Sequence, residues 1–271
     1  MHVGGSAHQG RPERNDGATG IGAPRLVVGM TSLPTRVAQI RPALESLLKG
    51  DRPPDAIILS LPRVALRGQG PWDVPGFLTD RGWHGGRVRL NWTSIDFGPG
   101  TKLLGALPLL DPADIVVLAD DDVRYDPAFL AGIEVAMLRA GEHAAFSYYT
   151  YRCGGMRIGQ GCDGFAIRVA DVADVQLFFD QHVAGTDLVF HDDLWISYFL
   201  AIRGTAVRSV PLPRETRLIY DQMHETDALR YLTGALDRDR LNRTEMARLR
   251  RTVPIPLRHR AALALRSVKT G

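Results

Sequence analysis

Cysteine is scarce in this 271-residue chain, and its scarcity excludes two kinds of fold. The two cysteines, Cys153 and Cys162, lie in a glycine-rich segment, with no further cysteine or histidine nearby at the spacing of a zinc site. Neither a disulfide framework nor a structural zinc site is therefore expected. We predict two reduced thiols.

Long apolar segments are also absent. No stretch approaches the roughly 20 apolar residues that a membrane-spanning helix needs. Residues 1–22 are rich in glycine and polar residues and lack the apolar core of a secretory signal, so we predict a flexible leader there. These features predict a soluble, cytoplasmic protein.

Acidic residues are nearly absent from the end of the chain. The formal net charge is only +3, but residues 243–271 are rich in arginine and contain a single acidic residue, Glu245. A basic helical tail of this kind can associate with an anionic membrane at its inner face, which we favour over nucleic acid. Alternatively, its long side chains cover the core and keep their charges in solvent.

Apolar segments of strand length alternate with helical patterns in the first half of the chain. Strands are predicted at Arg25–Met30, Ala56–Pro62, Arg87–Trp92 and Asp114–Ala119, and helices at Val37–Leu48 and Leu103–Leu110. This alternation predicts an α/β fold with a doubly wound, mostly parallel sheet, mixed in its second half, and helices on both faces. Ligands of such sheets bind beyond the carboxyl ends of the strands.

The second half is less regular. Strands are predicted in "AAFSYYTYR" and "DGFAIR", on either side of a glycine-rich turn, "CGGMRIGQGC", and another in "TAVRSVPLP". The segment "DDLWISYFLAIRG" predicts a helix with Asp192 as its N-cap and Gly204 at its end. No internal repeat or linker interrupts the chain, so residues 23–242 are predicted to form one domain.

Three consecutive carboxylates, Asp120 to Asp122, directly follow the strand Asp114–Ala119. Carboxylates crowded at this edge of a sheet repel one another unless a cation neutralises them. Mg²⁺ and Mn²⁺ prefer such oxygen ligands, and Mg²⁺ commonly shares them with substrate phosphates. The triplet therefore predicts a metal that bridges protein and diphosphate. The alternative is a solvated turn in which Asp126 caps the next helix.

Two further polar segments are expected at the same edge. "DFGPGTK" follows the third strand and suits polar ligand groups, although it lacks the spacing of a phosphate-binding loop. "HDDLW" supplies a second carboxylate pair at a helix start. Asp192 is explained as a cap, whereas Asp193 is a candidate general base.

These motifs together resemble a GT-A-fold, nucleotide-sugar-dependent glycosyltransferase of bacterial, family 2-like type. The resemblance is carried, in this order, by "MTSLPTR", "DFGPGTKLLGAL", "LADDDVRYDP", "GGMRIGQGCDGF" and "HDDLWISYFL", and it extends over roughly residues 26–227. It implies a GT-A-like sheet and transfer of a sugar, with Mn²⁺ or Mg²⁺, from a nucleoside-diphosphate sugar to a saccharide or other hydroxyl acceptor, most simply with inversion.

The resemblance also implies roles for individual residues. It assigns the Asp-x-Asp metal motif to the triplet, with Asp122 and Asp120 as metal ligands, and the catalytic base to the "HDD" segment, where the family more often has Glu-Asp. That departure leaves Asp192 and Asp193 as alternatives, of which we favour Asp193. The further implied contacts are a late metal-ligating histidine, His224, and a donor-binding set comprising Thr31, Arg36, Asp96, Lys102, Asp120 and Asp121.

Two other classes of function remain open at this stage. A nucleotidyltransferase or other metal-dependent phosphoryl-transfer enzyme would also use a carboxylate pair at a strand end, but it should have a glycine-rich, basic loop after the first strand. That loop has no glycine after Gly29. A non-catalytic nucleotide- or membrane-binding protein would not need both carboxylate groups.

Overall fold

The computed structural model describes residues 24–67, 70–212, 218–223 and 235–260. The predictions for the leader, for His224 and for the end of the basic tail lie outside these residues. The strands of the described part are β1 (Leu26–Met30), β2 (Ala56–Pro62), β3 (Val88–Thr93), β4 (Ile115–Leu118), β5 (Val123–Tyr125), β6 (Ala144–Ser147), β7 (Thr150–Cys153), β8 (Met156–Gly159), β9 (Phe165–Arg168), β10 (Ala206–Ser209) and β11 (Tyr220–Gln222).

Seven of these strands form one sheet in the order β10-β6-β9-β4-β1-β2-β3. Every neighbouring pair is parallel except the two pairs that include β9. Two antiparallel ribbons, β5 with β11 and β7 with β8, lie outside this sheet. The prediction of a doubly wound, mostly parallel but mixed sheet is confirmed.

Helices cover both faces of the sheet. They are α1 (Arg41–Leu48), α2 (Arg81–His84), α3 (Thr101–Leu104), α4 (Phe129–Ala140), α5 (Val175–His182), α6 (Asp192–Arg203) and α7 (Ala235–Thr252). Because successive side chains of a strand point to opposite faces, Val117 packs with α1 and α4, whereas Val116 and Leu118 pack with α3, α5, α6 and α7. The buried β4 strand is therefore shared between two cores.

The predicted helix Leu103–Leu110 is wrong in extent. Helix α3 ends at Leu104, and a 3-10 turn follows at Leu107–Leu109. Pro108 lacks the N–H that a continuing α-helix would use. Gly105 packs so tightly against β2 that a Cβ atom there would lie 2.5 Å from the Cβ of Ser60.

The glycine-rich turn contains a strand that the sequence pattern did not reveal. Residues 144–152 divide at Tyr148 into β6, which enters the large sheet, and β7, which leaves it to pair with β8. Gly154 and Gly155, with φ of 55° and 80°, make the tight turn between β7 and β8. Cys153 and Cys162 form no disulfide, and Cys153 is buried.

Helix α6 ends at Gly204 as predicted, with φ of 80°. The predicted N-cap role of Asp192 is wrong. His191 is the N-cap residue and makes no capping hydrogen bond through its side chain, and Asp192 is the first helical residue. Its carboxylate forms an ion pair with the buried Lys102, at 3.3 Å.

Helix α7 includes residue 243, where we placed the start of the basic tail. Met246 and Leu249 are buried in the core that contains α6. Arg248 pairs with Glu245 and donates to the carbonyl oxygen of His182 at 2.9 Å. This part of the chain covers the core. None of the helices in the described ranges has the length and apolar character needed to cross a membrane.

Candidate active site

A cleft of about 920 Å³ opens at the carboxyl ends of the parallel strands. The loops after β1, β2, β3 and β4 form one side of it, and the loop after β8, the start of α6 and strand β11 complete it. This is the edge at which open α/β sheets bind ligands. The cleft contains every candidate site residue of the described part, namely Thr31, Arg36, Asp96, Lys102, Asp120, Asp121, Asp122, Asp192 and Asp193.

The three carboxylates after β4, here called the acidic loop (Asp120–Asp122), are neutralised mainly by a residue of the β1 loop. Arg36 donates from Nη2 to Oδ1 of Asp121 at 2.6 Å and from Nη1 to Oδ2 of Asp122 at 3.0 Å. Ser32 donates to the other carboxylate oxygen of Asp121. Asp121 is buried and has both oxygens engaged, so it anchors the β1 loop to the acidic loop.

Asp122 remains electrostatically unfavourable despite this arginine. Burial, together with the negative charges of Asp120 and Asp121, raises its pKa to about 6. A further positive charge beside this carboxylate would stabilise its ionised form. The acidic loop therefore holds more negative charge than Arg36 alone offsets.

A buried lysine links the acidic loop to the start of α6. The Nζ atom of Lys102 donates to Oδ1 of Asp120 at 2.6 Å and lies 3.3 Å from Oδ2 of Asp192. Burial opposes the ammonium charge, but the carboxylates of Asp120, Asp192 and Asp193 outweigh it and hold the pKa of Lys102 well above its usual value. The positive charge of Lys102 is thus fixed between Asp120 and Asp192, which are 72 residues apart in the chain.

Asp192 and Asp193, here called the α6 carboxylates, differ in their surroundings. Asp192 is buried, and its Oδ2 atom has an ion pair with Lys102 but no well-aligned hydrogen bond among the described residues. Asp193 is less buried, and its Oδ1 atom accepts from the backbone N–H of Gly161 at 2.8 Å. Burial and the negative charge of Asp192 raise the pKa of Asp193 well above its usual range. Asp193 therefore combines a raised pKa with partial exposure to the cleft.

Gly161 lies close to both Lys102 and Asp193. A Cβ atom at this position would lie 2.7 Å from Nζ of Lys102 and 3.6 Å from Oδ1 of Asp193. The glycine-rich segment thus allows the backbone to approach the lysine and the carboxylates closely. This contact explains one glycine of the segment that sequence analysis singled out as a whole.

Two other candidates stabilise the cleft walls. Asp96 accepts the backbone N–H groups of Leu66 and Gly98, at 2.6 and 2.7 Å, through its two carboxylate oxygens. Thr31 donates to the carbonyl oxygen of Ser60 at 2.8 Å. Both side chains line the cleft, and their observed hydrogen bonds fix the loops after β1, β2 and β3 relative to one another.

Arg67 also lines the cleft and was not among the residues predicted from the sequence. Its guanidinium group lies 5.2 Å from the ring centroid of Phe190, a cation-π arrangement, and both residues line the cleft. Burial and repulsion from Arg36 lower the pKa of Arg67. Among the described residues, no carboxylate forms an ion pair with it at 4.0 Å or less. The available signal was its place in the loop after β2, which ends at the same edge of the sheet.

The metal predicted from the triplet can be tested against these contacts. No group of three His, Cys, Asp or Glu side chains in the described part is arranged to hold a metal ion. Asp120 and Asp122 nevertheless offer two carboxylates at the cleft, with 32% and 12% of their side chains exposed. Mg²⁺ typically takes one or two carboxylates and completes its coordination with water and substrate phosphates. The residues present fit that kind of site.

Comparison with known proteins gives matches at the level of structure alone. No protein-family model and no curated protein matches the sequence. One similar solved structure is S. aureus TarS, at 12% identity and a TM-score of 0.44, over 66% of this chain and 56% of that one. Another is the glycosyltransferase GlyE of Streptococcus pneumoniae, at 13% identity and a TM-score of 0.43, over 65% of this chain and 43% of that one.

A third is glucosyl-3-phosphoglycerate synthase from Mycobacterium tuberculosis, in a complex with Mn²⁺, UDP-glucose and phosphoglyceric acid. It is 23% identical, with a TM-score of 0.34, over 48% of this chain and 45% of that one. The chain thus spans about half the length of the solved structures it matches. TarS has also been solved in complex with UDP-GlcNAc.

Proposed function

We propose that this protein transfers a sugar from a nucleoside-diphosphate sugar to a hydroxyl group of an acceptor. The observation that carries the proposal is the placement of Lys102 between Asp120 and Asp192 in one cleft. Two carboxylate groups from distant parts of the chain thereby face the same space. One group suits the donor diphosphate and its counter-ion, and the other suits proton removal from the acceptor.

The donor is proposed to bind with its diphosphate near the acidic loop. Asp120 and Asp122 would hold Mg²⁺ or Mn²⁺, which when bound supplies positive charge to the diphosphate leaving group. Arg67 is the described arginine best placed to bind phosphate oxygens directly, because no carboxylate among the described residues pairs with it. Asp121 and Arg36 keep the acidic loop in position through their mutual hydrogen bonds.

Asp193 is proposed as the general base. Its raised pKa makes it a stronger proton acceptor than an exposed aspartate, and its bond to the backbone of Gly161 fixes its orientation. Asp192 holds Lys102 and acts as a positioning residue. Attack by an acceptor oxygen from the face opposite the diphosphate would invert the anomeric centre of the sugar.

Membrane association of the C-terminal tail is a separate proposal. It rests on the basic residues of segment 243–271 that follow the end of α7 at Thr252, because α7 itself is packed on the core through Met246 and Leu249. A variant that ends at Arg260 should sediment less with anionic vesicles than the full chain does. Equal sedimentation would assign the tail a purely structural role.

The proposed reaction is tested by product analysis. The protein is first screened for thermal stabilisation by nucleotide sugars with Mn²⁺, since a ligand that binds only the native state raises the melting temperature. Stabilising donors are then incubated with hydroxyl acceptors. Release of nucleoside diphosphate with a glycosylated acceptor is expected. Release of pyrophosphate with a nucleotidylated acceptor would identify a nucleotidyltransferase. Binding without any transfer to the tested acceptors, and without donor hydrolysis, would contradict catalysis.

A further inference from the structure

A second pocket, of about 370 Å³, lies away from the carboxylates of the cleft. It is bounded by the β7–β8 ribbon, strand β10, helix α6 and the chain around the end of α7. Ser197 and Ala201 of α6 line it, one and two helical turns beyond Asp193. The backbone N–H of Gly159 donates to Ser197 Oγ at 3.1 Å, so β8 is joined to α6 between the two spaces.

Four arginines line this pocket, here called the arginine pocket: Arg152, Arg157, Arg250 and Arg260. Neutral oxygen atoms orient all four. Arg157 donates to the hydroxyls of Thr150 and Ser209 at 2.9 Å each, and Arg250 donates to the carbonyl oxygen of Gly154. Arg152 and Arg260 likewise donate to the carbonyl oxygens of Gly155 and Ile255.

None of these four arginines forms an ion pair with a carboxylate in the described part of the chain, whereas Arg36 and Lys102 in the cleft each pair with two. Like charges placed around one small cavity repel each other. A bound anion would remove that repulsion. The planar guanidinium group suits phosphate because it can donate two parallel hydrogen bonds to its oxygens.

The remaining wall of the arginine pocket is apolar. Met156, Val207 and Ile255 line it together with Ala201, and Ile255 is buried. The volume lies near the lower end of the range of small-molecule sites, roughly 300 to 1,000 Å³. An inorganic anion alone would leave the apolar wall without a partner. The combination fits a ligand with a phosphate at one end and a small apolar group at the other.

We propose that the arginine pocket binds the phosphate group of an amphiphilic phosphate ester, with its apolar group against Met156, Val207 and Ile255. The site is separate from the glycosyl-transfer cleft and does not depend on the proposed reaction. Such an ester can be a soluble metabolite or the headgroup end of a membrane lipid. Both sources present the same chemistry to the arginines.

The test uses phenyl phosphate as the soluble probe, titrated by calorimetry into the full chain without nucleotide or metal. Saturable binding is expected, tighter than that of inorganic phosphate and of phenol. Arg250→Gln should weaken it about tenfold, the effect of losing one charge-assisted hydrogen bond. Arg251→Gln is the matched control. It removes the same charge at the next position, which is also exposed but does not line the pocket. It should change the affinity less than about twofold.

Vesicles of phosphatidylcholine with and without phosphatidylglycerol separate the two sources. A lipid source predicts sedimentation with the anionic vesicles that phenyl phosphate competes away and that Arg250→Gln reduces more than Arg251→Gln. A soluble source predicts phenyl phosphate binding without such sedimentation. Equal effects of the two substitutions on phenyl phosphate binding, or no saturable binding of it, would overturn the proposal. Arg152→Gln serves as a second pocket variant at an exposed position.

Discussion

Two groups of adjacent aspartates line the cleft, and the chain neutralises them differently. In the acidic loop, Arg36 donates to both Asp121 and Asp122, and Ser32 completes the partners of Asp121. At the start of α6, Lys102 reaches Asp192 at 3.3 Å, while Asp193 accepts only a backbone N–H among the hydrogen bonds described above. Asp121 thus serves to hold the acidic loop in place, whereas Asp193 is left available for chemistry.

The division follows from burial and from the reach of the cations. Arginine can hold two carboxylates at once through its planar fork, which favours a rigid loop. The lysine ammonium is a compact charge and is already bonded to Asp120 at 2.6 Å. Asp193 therefore lacks a close cation of its own, and burial keeps its pKa raised. Substitutions at the start of α6 should therefore lower the transfer rate, whereas substitutions at the acidic loop should lower stability and donor affinity.

The largest effect is expected for the proposed general base, Asp193. Asp193→Asn preserves volume and the hydrogen bond from Gly161 but cannot accept a proton, so transfer should fall by roughly 100- to 10,000-fold. Donor affinity should stay unchanged, because the diphosphate is proposed to bind at the acidic loop. Transfer rates and calorimetric donor affinities measure the two quantities separately.

Asp192→Asn is the matched control for this experiment. It weakens the ion pair with Lys102 and should reduce the rate less than Asp193→Asn does, without loss of an N-cap, since His191 occupies that position. A collapsed rate in Asp192→Asn with a nearly normal one in Asp193→Asn would exchange the two roles. Normal rates in both variants would remove α6 from the mechanism.

The second prediction concerns the acidic loop. Arg36→Ala leaves Asp121 and Asp122 buried without their cation, which should lower the free energy of unfolding by about 3 kcal/mol. Arg203→Ala, which breaks an exposed pair with Asp174, should cost less than about 1 kcal/mol. Urea unfolding measures both values. Similar small costs would mean that Arg36 is not the anchor of this loop.

Much of the fold can be predicted from local sequence pattern. Apolar segments of strand length and the glycine at the end of α6 each determine the structure of only the few residues around them. The predicted strand Ala56–Pro62 matches β2 at both ends. Local pattern did not predict the structure where tertiary contacts determine it. Helix α3 ends where Gly105 packs against Ser60, and strand β8 forms by pairing with β7. The propensity of a glycine-rich segment cannot reveal such a pairing.

The candidate site shows the same limit. The cleft contains Arg36, Lys102 and both groups of aspartates, all of which are predictable from the sequence. Which cation meets which carboxylate is not predictable from local pattern, because Arg36 and Asp122 are separated by 86 residues. The triplet was interpreted as requiring a metal, whereas an arginine of the chain supplies part of the neutralising charge.

The third prediction uses a carboxylate that has no cation at all among its described hydrogen-bond and ion-pair partners. Asp163 accepts from Gln160 at 2.8 Å, and burial together with the negative charge of Asp120 raises its pKa to about 7. The folded state therefore binds this proton more tightly than the unfolded state. Stability from this group is fully present below about pH 4 and is lost as the pH rises to about 7.

Asp163→Asn should remove that loss while retaining an acceptor for Gln160. The free energy of unfolding of the wild type is expected to fall by about 2 to 4 kcal/mol more than that of the variant between about pH 4 and pH 7. Urea titrations across this range give the difference. Parallel curves for the two proteins would show that folding does not raise the pKa of Asp163.

The smallest predicted effect is the change in nucleoside diphosphate affinity per unit of pH. It tests whether a metal ion adds to the positive charge that the chain itself places at the acidic loop. The pKa of Asp122 is about 6, so a proton competes with a divalent cation for this carboxylate below that pH. The affinity for a nucleoside diphosphate with Mn²⁺ should be nearly constant above about pH 7 and fall about tenfold per unit below pH 6. A chelator should lower this affinity at neutral pH, and Asp122→Asn should remove both the pH dependence and the chelator effect.

Asp126→Asn is the control, because the Asp126 carboxylate accepts the backbone N–H of Ala128 and does not line the cleft. If affinity is unaffected by chelator and independent of pH, then Arg36 and Lys102 neutralise the acidic loop without a metal. The two groups of aspartates would then differ only in which residues of the chain hold them.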